Sequence, residues 1–299
     1  MEWLNYHHLL YFWTVAREGS VSKASASLRL AQPTISGQIK TLEDALGEKL
    51  FERRGRNLVL TEMGQVVFGY ADEIFSLGRE LLDTVKGRPV HRPARLRVGL
   101  ADVISKLVAY ELLKPALALT EPVELSCIED ETNRLVAALA TYSLDIVLTD
   151  APLARHPSIH TYNHLLGESG VTIFGTKALA EKYRRRFPRS LDQAPVLLPM
   201  PNTMLRGGLD HWFEKQAIRP VLVAQFADTA LLKVFGGSGI GVFPAPTIIE
   251  AQVKRQYGVS VIGRTTEVRE QFYAISVERR ITHPAVLAIT EAARSGLFG

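Results

Sequence analysis

Residues 20–53 read SVSKASASLRLAQPTISGQIKTLEDALGEKLFER, a pattern that predicts two short helices joined by a tight connection. Ser20 suits the N-cap of the first helix, Pro33 suits the first turn of the second, and Gly47 suits its end. Apolar residues recur at helical spacing along the second helix, at Ile35, Ile39, Leu42 and Leu46. The stretch therefore predicts a helix-turn-helix, whose second helix can enter the major groove of DNA.

The opposite face of the second helix carries small or hydrogen-bonding residues, namely Gln32, Pro33, Thr34, Ser36, Gln38 and Lys40. Glutamine can pair with adenine through two hydrogen bonds, and serine or threonine can contact bases or phosphates. A solvated polar helix face would look the same. The next segment favours DNA, because residues 49–51 and 58–60 form two short apolar strands around a basic turn that contains Arg53, Arg54 and Arg56. Such a wing can reach phosphates or the minor groove.

Helices are also predicted on both sides of this region. Before it, one helical face carries Leu9, Phe12, Trp13 and Ala16, and Gly19 ends the helix. After it, a long helix runs from Thr61, a candidate cap, to about Val85. Its heptad seam consists of Val67, Ala71, Ile74, Gly78, Leu81 and Val85. Self-association would cover this seam, and packing against the chain's own domains is the alternative.

The pattern changes after residues 87–93, which are rich in glycine and proline and predict a hinge. Strands are predicted at 96–100, 123–128, 145–148, 171–174, 196–198, 221–226, 241–243 and 272–277. Helices are predicted near 103–119, 131–142, 177–186, 203–217, 228–235 and 282–295. Alternating strands and helices of this kind imply an α/β region with an open parallel sheet, or two such sheets.

Composition excludes several classes of protein. The 299 residues are 46% hydrophobic and 22% charged, which is ordinary for a globular chain. The single cysteine, Cys127, excludes an internal disulfide and zinc sites built on several cysteines, and its apolar strand predicts a buried thiol. No segment reads as a membrane helix or a secretory leader, so we expect a soluble cytoplasmic protein without membrane contacts. The net charge of +4 does not decide for or against nucleic acid.

Residues 5–61 resemble the winged helix-turn-helix of LysR-type transcriptional regulators. The shared positions are Tyr11-Phe12, Gly19-Ser20, Ala24, Leu28, Gln32-Pro33, Ser36, Gln38-Ile39, Leu42-Glu43, Leu46-Gly47, Leu50-Phe51, Arg53, Leu60-Thr61 and Gly64. The resemblance covers the whole chain. It implies a DNA-binding domain at 1–61, a dimerisation helix and hinge at 62–93, and an effector-binding domain at 94–299 that resembles periplasmic binding proteins. Subdomain I of that domain would comprise 94–166 and 268–299, and subdomain II would comprise 167–267.

The resemblance also implies a function. Homodimers would pair into homotetramers on promoter DNA and contact RNA polymerase. Residues 4–13, Val98–Asp102 and Leu144–Asp150 resemble, more narrowly, family members that activate a sodium/proton antiporter gene in response to sodium. Two positions depart from the common family pattern. Gly37 stands where many members carry an arginine, and Ala31 stands where many carry a capping serine or threonine.

An effector cleft is expected at the carboxyl ends of the strands, where open α/β sheets bind their ligands. The residues that fall there are Asp102, Ser105, Asp150, Asn202, Thr203, Asp228 and Thr229. Three converging carboxylates would suit a cation such as sodium, because hard cations take oxygen ligands. Each aspartate could instead cap a helix. The sequence predicts no resident cofactor; the ligand would be sodium or a small-molecule effector, and no metal site is assigned.

The sequence thus predicts a non-enzymatic, DNA-binding activator, with three alternatives. One is a LysR-type regulator of a metabolic operon that responds to a small organic effector. Another is an α/β enzyme, for which the sequence offers no nucleophile–base pair. The third is an architectural DNA-binding protein, for which a large cleft domain would be unnecessary.

Overall fold

The computed structural model describes residues 3–54, 57–86, 94–154, 160–201, 203–277, 281 and 283–298. The predicted hinge at 87–93 and two candidate site residues, Arg56 and Asn202, lie outside these ranges. The chain forms two compact units. The first comprises Met1–Arg92 with Ala137–Ser143, and the second comprises Pro93–Val136 with Leu144–Gly299.

The first unit contains the predicted helix-turn-helix and hairpin. Its elements are α1 (Tyr6–Glu18), α2 (Val21–Leu28), α3 (Gln32–Leu46), β1 (Phe51–Arg54), β2 (Asn57–Leu60) and α4 (Glu62–Val85). The Ser20 hydroxyl caps α2 by accepting from the Lys23 N–H. Gly19 and Gly47 end α1 and α3 in the left-handed conformation, at φ 71° and 72°. Both helix ends therefore lie where the sequence predicted them.

One apolar core holds the first unit together. Its buried residues include Leu9, Phe12, Trp13, Ala24, Ile35, Ile39, Leu42, Leu50 and Ala71. The Trp13 indole joins α1 to α4, because its Nε1 donates to Asp72 Oδ1 at 3.0 Å and its ring packs 5.2 Å from that of Phe75.

The heptad seam of α4 divides into two halves. Ala71 is fully buried, and Val67 and Ile74 pack against the same core, so this half is covered by the chain's own helices. Beyond Phe75 the apolar residues Leu77, Leu81, Leu82 and Val85 are exposed. The chain's own helices therefore cover the first half of the seam, and the exposed second half remains available for the predicted self-association.

The second unit is an α/β structure. Its strands are β3 (Ala94–Ala101), β4 (Val123–Asp130), β5 (Ile146–Thr149), β6 (Tyr162–Gly175), β7 (Pro195–Pro199), β8 (Val221–Phe226), β9 (Phe243–Pro246) and β10 (Ser260–Ser276). Its helices are α5 (Lys106–Leu117), α6 (Thr132–Ala140, which crosses into the first unit), α7 (Lys177–Tyr183), α8 (Met204–Lys215), α9 (Thr229–Gly237), α10 (Glu250–Tyr257) and α11 (Pro284–Ala292).

The sheet is mixed rather than parallel. Within the described ranges its order is β4-β3-β5-β10-β6-β9, and β7 and β8 form a separate parallel pair. β3 is parallel to β4 and β5, but β10 is antiparallel to β5 and β6, and β9 is antiparallel to β6. The expectation of open parallel sheets was therefore wrong for the long strands β6 and β10. Neither strand alternates buried and exposed residues regularly, so a pattern read from the sequence does not reveal this antiparallel pairing.

Two further expectations are corrected. Cys127 is exposed rather than buried, because β4 is an edge strand and none of its residues is fully buried. Helix α10 was missed because its sequence EAQVKRQY is mostly polar and buries only Val253. None of the helices in the described ranges combines the length and the apolarity that a membrane span requires.

Candidate DNA-binding surface and effector cleft

Helix α3 presents the predicted polar face to solvent. Ile35, Ile39 and Leu42 are at most 7% exposed and anchor the helix on the core. On the other face Gln32, Pro33, Thr34, Ser36 and Lys40 are exposed, and Gln38 is half-buried. The helix is thus held by one side only, and the side that carries the candidate DNA contacts is free for an external partner.

The two departures from the family pattern both lie on α3. Ala31 occupies the N-cap position with extended backbone angles and offers no side-chain hydrogen bond to the first turn. A Cβ added at Gly37 would meet nothing within 4 Å, so the smallness of this residue is not required by packing.

The hairpin β1–β2, which we call the wing, follows α3. Its strands pair antiparallel from Phe51 opposite Leu60 to Arg54 opposite Asn57. Arg53 is exposed, Arg54 is the last residue of β1, and the predicted contact Arg56 lies outside the described residues. A groove of about 860 Å³ separates α3 from the wing, and its lining includes Ser36, Lys40, Lys49 and Arg53. Lys40, Lys49 and Arg53 therefore place cations on both sides of the groove, together with the carboxylates of Glu43 and Glu52.

Glu43 holds the wing against α3. Its carboxylate is nearly buried and accepts from the Leu50 N–H at 2.9 Å, the Phe51 N–H at 3.3 Å and the Lys49 ammonium at 2.6 Å. Burial favours a raised pKa for Glu43, but the hydrogen bonds from Lys49, Leu50 and Phe51 outweigh it and hold the pKa below its usual value. The charged form is thus the one that fixes the start of the wing.

The start of α4 is fixed on the same segment. The Thr61 hydroxyl donates to the Lys49 carbonyl at 2.6 Å and accepts from the Gly64 N–H at 2.9 Å, so Thr61 is the cap that the sequence predicted. A Cβ at Gly64 would lie 2.0 Å from the Leu50 carbonyl oxygen. Only glycine permits this approach of α4 to the chain that leads into the wing.

In the second unit a lysine that the sequence analysis missed lies among the predicted effector residues. Lys233 on α9 is 2% exposed, and its ammonium donates to Ser105 Oγ at 3.1 Å and to the Thr229 carbonyl at 3.0 Å. Ser105, at the start of α5, is itself buried. Burial lowers the pKa of Lys233 to about 8, Lys106 adds to the effect, and Glu270 and Asp228 oppose it.

A second group of polar atoms lies at the start of α8. Thr203 caps this helix by accepting from the Arg206 N–H at 3.2 Å. The Asp150 carboxylate accepts from the backbone N–H of Met204, the first residue of the same helix. Burial raises the pKa of Asp150 and the nearby Asp102 carboxylate adds to this, whereas the hydrogen bond from Met204 opposes it.

Glu270 on β10 links these two groups and was also missed. Its Oε1 atom is shielded from solvent and has no hydrogen-bond partner. Burial raises the pKa of Glu270 to about 8 and Asp150 adds to the rise, whereas Lys233 opposes it. The cleft thus brings together Ser105, Asp150, Thr203 and Thr229 from the predicted set, and adds Lys233 and Glu270.

The other predicted effector residues behave differently. Asp228 is exposed and caps α9 by accepting from the Ala230 N–H at 2.7 Å, so for this residue the capping alternative is confirmed. Asp102 is exposed at the cleft edge, and Asn202 lies outside the described residues. Among the residues described, no three of the types His, Cys, Asp and Glu come close enough to hold a metal ion. The expected convergence of three aspartates was therefore wrong, because the third is used by its own helix.

Two sequence signals could have found the missed residues. Lys233 is the one charged residue in the otherwise apolar segment TALLKVFGG of α9. Glu270 lies between Val268 and Phe272, which are both buried and share its strand face at a spacing of two. A charge on a buried face needs a partner or a ligand, and is a reason to suspect a site.

Comparisons with known proteins agree with this geometry. Residues 6–65 match the family model described as the bacterial regulatory helix-turn-helix protein, lysR family, and residues 91–297 match the LysR substrate binding domain. The chain is 37% identical over 298 residues to the transcriptional activator protein NhaR of Escherichia coli, covering 100% of this chain and 98% of that protein. The chain belongs to the LysR family.

Solved structures show the same fold. ArgP from Mycobacterium tuberculosis superposes with a TM-score of 0.66 at 17% identity and covers 99% of both chains. Full-length OxyR from Pseudomonas aeruginosa superposes with a TM-score of 0.61 at 18% identity, covering 100% of this chain and 97% of that one. The LysR relatives are transcriptional regulators rather than enzymes, so the enzyme alternative is set aside. The prediction of a DNA-binding LysR-type regulator, with a winged helix-turn-helix and an α/β effector domain, is confirmed.

Proposed function

We propose that this LysR-type regulator activates transcription by placing α3 in the major groove of promoter DNA and the wing on the adjoining backbone. The observation that carries this proposal is the one-sided burial of α3. Gln32, Pro33, Thr34, Ser36, Gln38 and Lys40 would contact bases and phosphates, and Arg53, Arg54 and Arg56 would hold the backbone or the minor groove. The full-length similarity to a transcriptional activator supports activation rather than repression.

Gel-shift titration on the chain's own promoter tests the DNA contacts. We expect Ser36→Ala combined with Arg53→Ala to weaken binding by at least about tenfold, because one base contact and one phosphate contact are lost. Lys40→Ala should also reduce the slope of log affinity against log salt by about one. Arg95→Ala, which removes an exposed arginine from the second unit, is the matched control. Unchanged affinity in the double variant would refute the proposed surface.

We propose a homodimer through α4 and a tetramer through the effector domains. The exposed half of the α4 seam supports the first contact. Exposed apolar residues on the second unit support the other: Val221, Leu222 and Val223 on β8, Leu231 and Val234 on α9, and Tyr110 and Leu117 on α5. A ligand that binds one arrangement of this assembly more tightly would shift its population, and so change the contact with RNA polymerase in the cytoplasm.

We propose sodium as the ligand and a sodium/proton antiporter gene as the target. The acidic groups Asp102, Asp150 and Glu270 around the cleft support a cationic ligand. The buried ammonium of Lys233 favours the alternative, an organic effector with an anionic group, in a metabolic operon. A reporter fused to the promoter separates the two. Sodium chloride, but not equal choline chloride, should raise expression, and Asp102→Asn and Asp150→Asn should blunt the response. A sodium-insensitive reporter would favour the organic effector.

A further inference from the structure

One carboxylate oxygen of Glu270 lies inside the cleft without a hydrogen-bond partner from the part of the chain that the structure describes. Three buried side-chain polar atoms lack a hydrogen-bond partner in the described residues, and Glu270 Oε1 is the only carboxylate oxygen among them. A buried acceptor without a partner costs free energy. The group that would remove this cost is a hydrogen-bond donor or a cation, because a carboxylate oxygen does not attract an anion.

The charged groups around Glu270 determine which ligand charge the cleft can accept. Asp150 and Lys233 act on it most strongly. Asp102, Lys106 and Asp228 lie further along the same cleft, but they are exposed, so solvent screens them. No ion pair within 4 Å joins Lys233 to Glu270 among the described residues, since the ammonium donates to Ser105 and Thr229 instead. The raised pKa of Glu270 means that its carboxyl holds a proton near neutral pH, and a cation that binds there must displace this proton. Once both carboxylates are ionised, Glu270, Asp150 and Lys233 together carry a net charge of −1.

We propose that Glu270 and Asp150 hold one monovalent cation, and that Lys233 excludes divalent cations by supplying a fixed positive charge beside it. This inference rests on the proposed sodium response and names the residues and the charge class of its ligand. A monovalent cation brings the shielded charge to zero, whereas a divalent cation would leave +1 uncompensated, which is costly away from water. Neutral oxygens from hydroxyl groups, carbonyl groups or water would complete the shell.

Thermal unfolding of the purified full-length protein tests the first half. A ligand that binds the folded state raises the unfolding midpoint, so we compare sodium chloride with choline chloride at equal ionic strength. The wild type should gain stability with sodium in a saturable way. Glu270→Gln should raise the apparent Kd for sodium at least tenfold, and Asp150→Asn should do the same.

Glu267→Gln is the matched control, because Glu267 lies on the same strand but pairs with Lys215 at the surface. For each variant, the unfolding midpoint in sodium chloride is compared with the midpoint of the same variant in choline chloride. A change in basal stability therefore does not affect the measured sodium effect. Wild-type sodium affinity in Glu270→Gln would overturn the proposal.

Lys233→Gln tests the second half. Removing the ammonium leaves the carboxylates with a net charge of −2, so this variant should be stabilised by calcium chloride at concentrations that leave the wild type unchanged. Calcium stabilisation of the wild type equal to that by sodium, or none in Lys233→Gln, would overturn the role of Lys233.

The promoter reporter separates this inference from the proposed function. Sodium-dependent expression without any sodium effect on the wild-type midpoint would refute the Glu270 site and leave the sodium response standing. Sodium binding that depends on Glu270, with a reporter that ignores sodium, would support the site and refute sodium as the inducing signal.

Discussion

At the scale of single residues, Gly64 occupies a position where the backbone of another segment leaves no room for a side chain. We expect Gly64→Ala to lower the free energy of unfolding by more than about 2 kcal/mol, because its Cβ would lie 2.0 Å from the Leu50 carbonyl oxygen and the backbone would have to move. Denaturant unfolding measures the change. Gly37→Ala is the control, since that Cβ meets open space and should stabilise α3 by about 0.5–1 kcal/mol. Equal effects of both substitutions would contradict the close approach.

Ala31 is a single position at which a substitution should stabilise the protein. A serine at this N-cap could accept a hydrogen bond from the first turn of α3, which now has no side-chain partner. We expect Ala31→Ser to stabilise the protein by about 1 kcal/mol, measured by the denaturation midpoint. Ala31→Val, which adds bulk without an acceptor, should give no gain, and a similar gain from both would rule out capping as the cause.

Single residues also mark the limit of the sequence analysis. Thr61 and Gly64 were recognised as positions shared with the family, but the reason for the glycine is its distance to Leu50, which only the tertiary structure provides. Ser105 was predicted from the end of a strand. Its partner Lys233 lies 128 residues away and could not be paired with it from spacing alone.

At the scale of elements, the wing depends on the ionised carboxylate of Glu43. Its pKa is lowered in the folded protein, so its contribution is fully present above the unfolded value of 4.5 and is lost as pH falls through the lower folded value. We expect Glu43→Gln to cost about 1–3 kcal/mol near neutral pH, because three hydrogen bonds to a charged acceptor are weakened.

The pH dependence of unfolding checks this role of Glu43. The difference between wild type and Glu43→Gln should shrink as the pH is lowered below 4.5. A difference that stays constant with pH would assign the loss to packing rather than to charge. Glu48→Gln is the control. Glu48 is an exposed neighbour of the wing that does not hold it as Glu43 does, so this substitution should leave the free energy of unfolding nearly unchanged.

Helices and strands could be predicted from the sequence where their apolar residues follow a single regular spacing. The stripe of Ile35, Ile39 and Leu42 identified α3 because a helix held by one face has apolar residues at this spacing. Strand β10 was recognised only at 272–277, where consecutive residues are apolar. Its earlier part is mostly polar and includes the charged Glu270, so a search for apolar runs found neither the strand nor the site residue.

At the scale of the whole molecule, the order of elements along the chain was predictable and their pairing was not. Alternation of strands and helices indicated an α/β unit, but β10 returns antiparallel to pair with β5 and β6. Register between strands about 100 residues apart is set by burial across the sheet, which a sequence window does not contain. Two of the residues that set the charge of the cleft, Lys233 on α9 and Glu270 on β10, come from separate elements of the chain.

The exposed half of α4 gives the prediction for the assembled molecule. Leu77, Leu81 and Val85 recur every four residues, and the exposed fractions of these residues are 67%, 63% and 76%. A charge in the middle of this stripe would be buried by a partner helix without compensation. We therefore expect Leu81→Arg to shift the protein toward monomers in sedimentation velocity, and to leave the folding of the first unit intact because Leu81 lies outside its core.

The same substitution should reduce promoter affinity by about tenfold or more at equal chain concentration, since two linked DNA-binding units gain affinity from one another. Gln65→Arg, an exposed change near the start of the same helix, is the control for added charge. Because added positive charge favours DNA binding, any loss of affinity in Leu81→Arg opposes the electrostatic trend and must come from the lost pairing. A dimeric Leu81→Arg with weakened DNA binding would break that link and place the self-association surface elsewhere.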